Sequence, residues 1–295
     1  NNKIKVNNPK AMKIENIVRK SVLSQPVYQA GKPIEYVARE FGLDPDGILK
    51  MASNENPLGP CPKAIEAVSR SLDNLNYYPD GGCYELGRKI SKVMGLNSSQ
   101  LVFGNGSNEV IELVAHALLG EGDNAVMGAQ SFIVYKLSTL LMGAEAREVP
   151  MPSLRYDLSQ MLDAVDEKTK IVFLANPNNP TGTVLSQNEV FEFVRALPEH
   201  VVFCYDEAYG DFQDNPVDIR GLIAEGRNVI GLKTFSKIYG LAGLRAGYGY
   251  CSEELASYIN RVREPFNMNS LAQVAAMAAL DDVEFYEKSK KLNKQ

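Results

Sequence analysis

Histidine is scarce in this 295-residue chain: His116 and His200 are the only two. His116 falls in an amphipathic helical pattern and His200 just ahead of an apolar run. A histidine-based metal site is therefore not expected, nor is a Ser-His-Asp triad. Cysteine is equally thin. Cys61, Cys83, Cys204 and Cys251 contain no C-x-x-C pair. Cys204 and Cys251 sit in apolar runs and read as small hydrophobes. Such usage points to a reducing compartment, hence a cytoplasmic protein. No apolar run reaches the roughly 18 residues of a membrane span. The opening "NNKIKVNNPK" is no signal peptide, and it lacks an initiator Met, so the start is expected to be trimmed. A formal charge of −5 is mild. It argues against a nucleic-acid surface and supplies no polybasic patch for a membrane. Internal repeats and low-complexity linkers are absent as well.

What is present is an alternation of apolar runs and helical patterns. "LVF" (Leu101 to Phe103) precedes "NEVIELVAHALLG". "AVMG" (Ala125 to Gly128) precedes "FIVYKLSTLLMG". "IVFLAN" (Ile171 to Asn176) precedes "SQNEVFEFVRAL", and "VVFCYDEAY" and "NVIGLK" follow. The runs are continuous rather than alternating, as in a sheet covered on both faces. Strand–helix alternation predicts an α/β fold with a mostly parallel sheet, whose functional groups gather at the carboxyl ends of the strands. Residues 1–50 read as an N-terminal arm with a first helix in "KPIEYVAREFG". Residues 51–260 read as one large domain. From residue 261 the pattern turns to helices alone, the expected start of a second, smaller domain that is cut short.

Polar clusters follow the predicted strands. "GNGSNE" (Gly104 to Glu109) opens a helix. Its glycines allow a tight turn, and the amides of Ser107 and Asn108 with the helix dipole make an anion site. An ordinary capped turn explains the same residues equally well. A dinucleotide fingerprint does not, because Glu109 stands where the third glycine belongs. "PNNPTGT" (Pro177 to Thr183) is expected to project Asn178 and Asn179 off its strand end. Asp206, with Glu207 and Tyr209 close behind, ends an apolar run. Burying an acid there is costly without a cation, and a helix N-cap is the plainer alternative. "TFSKIYGLAGLR" places Lys237 among Phe235, Ile238, Tyr239 and Leu241, with Arg245 eight residues on. A snorkelling surface side chain remains open on this run alone. So does a buried amine held for nucleophilic work. Together, a phosphate cradle, an acid, an amine, an arginine and Asn and Tyr donors match the demands of pyridoxal 5′-phosphate.

"ASNENPLGP", "YYPDGG", "FGNGSNEVIELVA", "NPNNPTGT", "YDEAY" and "TFSKIYGLAGLRAGYG", in that order, resemble the fold-type-I aminotransferases, and within them the histidinol-phosphate aminotransferase branch. The resemblance runs from "GKPIEYVARE" to "FNMNSLAQ". It implies a mostly parallel seven-stranded-type sheet sandwiched by helices, with a smaller C-terminal domain. It implies Lys237 as the lysine that condenses with the cofactor aldehyde and shuttles the proton. Asp206 resembles the partner of the ring nitrogen. Tyr209 and Asn179 resemble the donors to the phenolate oxygen. Ser107, Asn108, Thr234, Ser236 and Arg245 resemble the phosphate shell. Phe132 stands where an aromatic stacks on the ring. Tyr78 resembles the tyrosine that reaches the neighbouring subunit's cofactor phosphate, which implies a homodimer with shared sites.

The implied reaction is transamination in histidine biosynthesis, between L-histidinol phosphate with 2-oxoglutarate and imidazole-acetol phosphate with L-glutamate. An aromatic amino-acid aminotransferase and a decarboxylase of an amino-acid phosphate share the same cofactor residues. A non-catalytic regulator domain would require a DNA-binding module, for which the arm is too short and too weakly basic. The family's substrate-binding arginines lie nearer the C-terminus than any residue here, so the chain reads as truncated.

Overall fold

The computed structural model describes residues 13–28 and 31–295. The first ten residues discussed above lie outside them. Seven strands form one sheet: β1 (Leu101–Asn105), β2 (Asn124–Gly128), β3 (Glu145–Val149), β4 (Thr169–Ala175), β5 (Val202–Asp206), β6 (Val229–Thr234) and β7 (Ala246–Cys251). Their spatial order is β1-β7-β6-β5-β4-β2-β3. β3, β2, β4, β5 and β6 pair in parallel, and β7 is antiparallel to both β6 and β1. The mostly parallel sheet is thus as expected. Because β7 reverses twice, β1 runs the same way as β6 and opens on the same edge.

Two of the seven strands do not stand out in the sequence. β3, "EAREV", is an edge strand with only its last residue buried. It therefore needs no apolar run. β7, "AGYGYC", is glycine-rich, so that only the run around Cys251 reads as apolar, yet it is buried throughout. A Cβ at Gly247 would collide with the backbone of Gly106 and Ser107, and one at Gly249 would press on Ile230 at 2.9 Å. Glycine here is the condition for close packing rather than for bending.

The strands sort their side chains to two faces. Ile171, Phe173, Cys204 and Ile230 join a core with Val110, Ile111 and Val114 of the Ser107–Leu118 helix and with Tyr135 of the Ile133–Leu141 helix. Val172, Leu174, Phe203 and Tyr205 join the other core, with Val190 and Val194 of the Gln187–Ala196 helix. That helix starts on a capping box, Ser186 with Glu189. The Ser270–Ala279 helix packs chiefly on the Pro62–Ser71 helix and brings Ala272, Ala275, Ala276 and Ala279 into the same core. Small alanines let the two backbones approach closely. All four cysteines are buried and free. Among the described residues no helix is long and apolar enough to cross a membrane.

Candidate active site

The carboxyl ends of β4, β5 and β6, with the start of the Ser107–Leu118 helix, surround a cavity of about 680 Å³. Asn179, Asp206, Tyr209 and Lys237 line it, as do Phe132 and Arg245. Ser107, Asn108, Thr234 and Ser236 complete the wall on the helix side. Ten of the eleven residues singled out in the sequence therefore meet at one place. Tyr78 does not. It is 83 % exposed and stacks on Phe266, ring centroids 5.0 Å apart.

Asp206 ends β5 and is only 5 % exposed. No α-helix begins behind it, so it is not an α-helix cap. Its carboxylate accepts from the Tyr135 hydroxyl at 2.8 Å and from the Ala208 N–H at 3.0 Å. Among the described residues no ion pair reaches it. Burial raises its pKa, and those two hydrogen bonds offset the rise only in part. The next residue is a contrast. Glu207 is 4 % exposed, but its carboxylate lies 3.2 Å from the Lys233 ammonium and accepts from the Tyr250 hydroxyl. Of two adjacent buried acids, one has its cation inside the protein and the other turns toward the cavity without one.

Lys237 is half-buried rather than buried as expected. The Ser236–Gly240 turn leaves one side of it on the cavity. Its Nζ donates to the carbonyls of Ser53 at 3.0 Å and Asn54 at 3.3 Å and lies 5.5 Å from the centre of the Tyr209 ring. Burial lowers its pKa below the ordinary lysine value. Neighbouring Lys233 differs, being locked between Glu207 and Asp211.

The anion side of the cavity rests on one glycine. Gly106 has φ +78°, and a Cβ there would strike the guanidinium of Arg245. Arg245 itself adopts a left-handed φ of +59° and donates to the Ala242 carbonyl at 3.1 Å. No carboxylate pairs with it among the described residues. Glu109, in the place of a third glycine, folds back to accept from the backbone N–H of Asn105 and from Asn267. It closes the turn instead of a dinucleotide.

Of the two asparagines after β4, only Asn179 faces the cavity. Asn178 turns inward, accepting from the Tyr156 hydroxyl at 2.7 Å and donating to the Gln130 carbonyl at 2.8 Å. Its loop is stitched to the chain rather than projected. Sequence reasoning also missed Tyr135 and Asn54. Tyr135 is fully buried and stacks on Phe173, centroids 4.9 Å apart. A phenol on the buried face of a helix needs an acceptor, which was the one signal available. Asn54 donates to the Tyr209 hydroxyl across 155 residues of chain, a partner that its motif "ASNENPLGP" does not reveal.

A family model described as aminotransferase class I and II matches residues 46–295. The chain belongs to that family. The histidinol-phosphate aminotransferase of Akkermansia muciniphila is 47 % identical over 285 residues, which is 96 % of this chain and 78 % of that protein. The one from Brevibacillus brevis is 46 % identical over 279 residues, 94 % of this chain and 76 % of its own. Among solved structures, the histidinol-phosphate aminotransferase of Sinorhizobium meliloti in complex with pyridoxal-5′-phosphate superposes with a TM-score of 0.83 at 27 % identity. It covers 93 % of this chain and 73 % of that one. The resemblance to the aminotransferases, and to this branch of them, is borne out. So is the fold, since the chain superposes on that neighbour over most of its length.

Proposed function

We propose that the protein is a pyridoxal-phosphate-dependent aminotransferase that transfers the amino group between L-histidinol phosphate and 2-oxoglutarate, with imidazole-acetol phosphate and L-glutamate as the other pair. The observation that carries it is Asp206, a buried carboxylate with no ion-pair contact among the described residues, in one cavity with the half-buried amine of Lys237. An acid in that setting invites a cationic ring nitrogen. The helix start at Ser107, the hydroxyls of Thr234 and Ser236 and the unpaired Arg245 suit a phosphate. The donor set fits the cofactor.

When bound, the cofactor withdraws electrons from the substrate Cα, so that a proton can leave it. The protein's own residues do the rest. Asp206 holds the proton on the ring nitrogen, as an ion pair in a water-poor wall. Tyr209 and Asn179 donate to the ring oxygen. Phe132 would face the ring. Ser107, Asn108, Thr234, Ser236 and Arg245 would hold the phosphate and so fix the ring's position. Lys237 would hold the cofactor aldehyde covalently, and its amine, when free, would take the proton from Cα and pass it on, a role that a lowered pKa favours.

The same reading divides the chain into an arm (1–50), a large cofactor domain (51–260) and the opening of a small domain (261–295). It places the protein in the cytoplasm, which suits four free thiols. The test of substrate is a single-turnover screen of the loaded protein. L-Histidinol phosphate should discharge the visible absorbance faster than L-phenylalanine or L-tyrosine. Faster discharge by an aromatic amino acid, or release of carbon dioxide, would replace this assignment.

The functional unit in this reading is a homodimer, with Tyr78 reaching the partner's phosphate. Its support is that Tyr78 and Tyr77 stand exposed and outside their own cavity. Tyr78→Phe should weaken cofactor retention by the roughly 0.5–1.5 kcal/mol of one hydrogen bond, or somewhat more to a charged acceptor. Mixed with Lys237→Ala subunits, it should form heterodimers in which one site carries both lesions and the other neither. Activity should return on mixing. Heterodimers that form without recovery would assign Tyr78 to its own subunit.

A further inference from the structure

Tyr209 has a partner that no part of the reading above uses. Its Oη accepts from the Asn54 side-chain amide at 3.0 Å. A phenol carries one proton and two lone pairs. With a lone pair occupied by Asn54, and with no acceptor for its proton among the described residues, that proton is free for the cavity. We infer that Asn54 is a positioning residue, which aims the Tyr209 hydroxyl at whatever oxygen the cavity holds.

The backbone around Asn54 is built for this. Ser53 and Asn54 take consecutive left-handed conformations, φ +71° and +47°, which non-glycine residues seldom adopt. The pair forms a hook whose two carbonyls accept from the Lys237 Nζ while its side chain meets Tyr209. Asn56 anchors the hook. Its amide donates to the carbonyls of Ile238 at 3.0 Å and Lys237 at 3.3 Å, and to the Ser289 hydroxyl at 3.0 Å. The segment that orients Tyr209 is thus tied to the turn that carries Lys237. Asn54 lowers the pKa of the Tyr209 phenol against the rise caused by burial, which strengthens the hydroxyl as a donor.

The inference rests on the proposed role of Tyr209 toward the cofactor's ring oxygen, and the test separates the two. Asn54→Gly removes the amide, adds no charge and keeps a residue at ease with positive φ, so the carbonyl hook persists. Asn54 is exposed, so the change does not threaten the core. Two quantities are read on Asn54→Gly, Tyr209→Phe and the double variant. One is the dissociation constant for pyridoxal phosphate. The other is the pH midpoint of the bound cofactor's visible absorbance. Losing a donor to an anionic oxygen disfavours the anion and moves that midpoint up. Asn54→Gly should weaken affinity roughly two- to tenfold and raise the midpoint. Tyr209→Phe should do the same more strongly. The double variant should match Tyr209→Phe alone, since Asn54 acts through the hydroxyl that is gone. Additive effects would overturn the inference, as would Asn54→Gly leaving both quantities unchanged while Tyr209→Phe moves them. If Tyr209→Phe moves neither, the role of Tyr209 fails first and the inference falls with it.

Discussion

Lys237→Ala should lose transamination by at least about 10²-fold and up to about 10⁴-fold, because one side chain supplies both the covalent hold and the moving base. The structure provides its own control. Lys233 sits four residues earlier, but its ammonium is bound between Glu207 and Asp211 and cannot act as a free amine. Lys237 has no carboxylate partner among the described residues, only two carbonyls, and burial lowers its pKa. A larger fraction of it is therefore neutral near pH 8 than of an ordinary surface lysine. Borohydride reduction of the loaded protein, followed by peptide mapping, should place the pyridoxyl group on Lys237. Amine-reactive labelling of the cofactor-free protein should show a lower pH midpoint at Lys237 than at Lys233. A pyridoxyl group on any other lysine would sink the assignment.

Asp206→Asn is expected to separate rate from binding. The amide can still accept from Tyr135, so the local shape survives. What it cannot do is hold a positive charge on the ring nitrogen. Turnover should fall about 10²- to 10³-fold, the scale on which a preorganised electrostatic group is lost. Cofactor affinity should fall far less, since the phosphate contacts remain. Thermal melts add an independent reading. The cofactor-free variant should be no less stable than the parent, because it removes a buried charge that Lys237 offsets only at a distance, without an ion-pair contact among the described residues. Near wild-type turnover, or a large loss of stability without cofactor, would show Asp206 to be a structural group.

Much of this molecule is local and could be read along the chain. Continuous apolar runs marked β1, β2, β4, β5 and β6, because a strand buried on both faces has no polar side to show. The order of short motifs carried the family, and with it the cofactor. The amine, the acid and the anion cradle each sit within a few residues of a strand end, which parallel topology brings to one edge.

Packing decided the rest. β3 escaped notice because an edge strand needs no apolar signature, and β7 because its glycines answer to neighbours in space. Adjacent acids 206 and 207 look alike in sequence. Only the sheet shows that Glu207 meets Lys233 and Tyr250 while Asp206 meets a hydroxyl and an open cavity. Asn178 and Asn179 are as alike in the chain, yet one turns inward to Tyr156 and the other lines the site. Asn54 and Tyr209 are 155 residues apart. The sequence determined which chemical groups would stand at the strand ends, because strand direction and turn chemistry are local properties. The tertiary structure alone decided which charges are compensated and where each hydroxyl proton points, because a hydrogen bond or an ion pair depends on distance in space and not on separation along the chain.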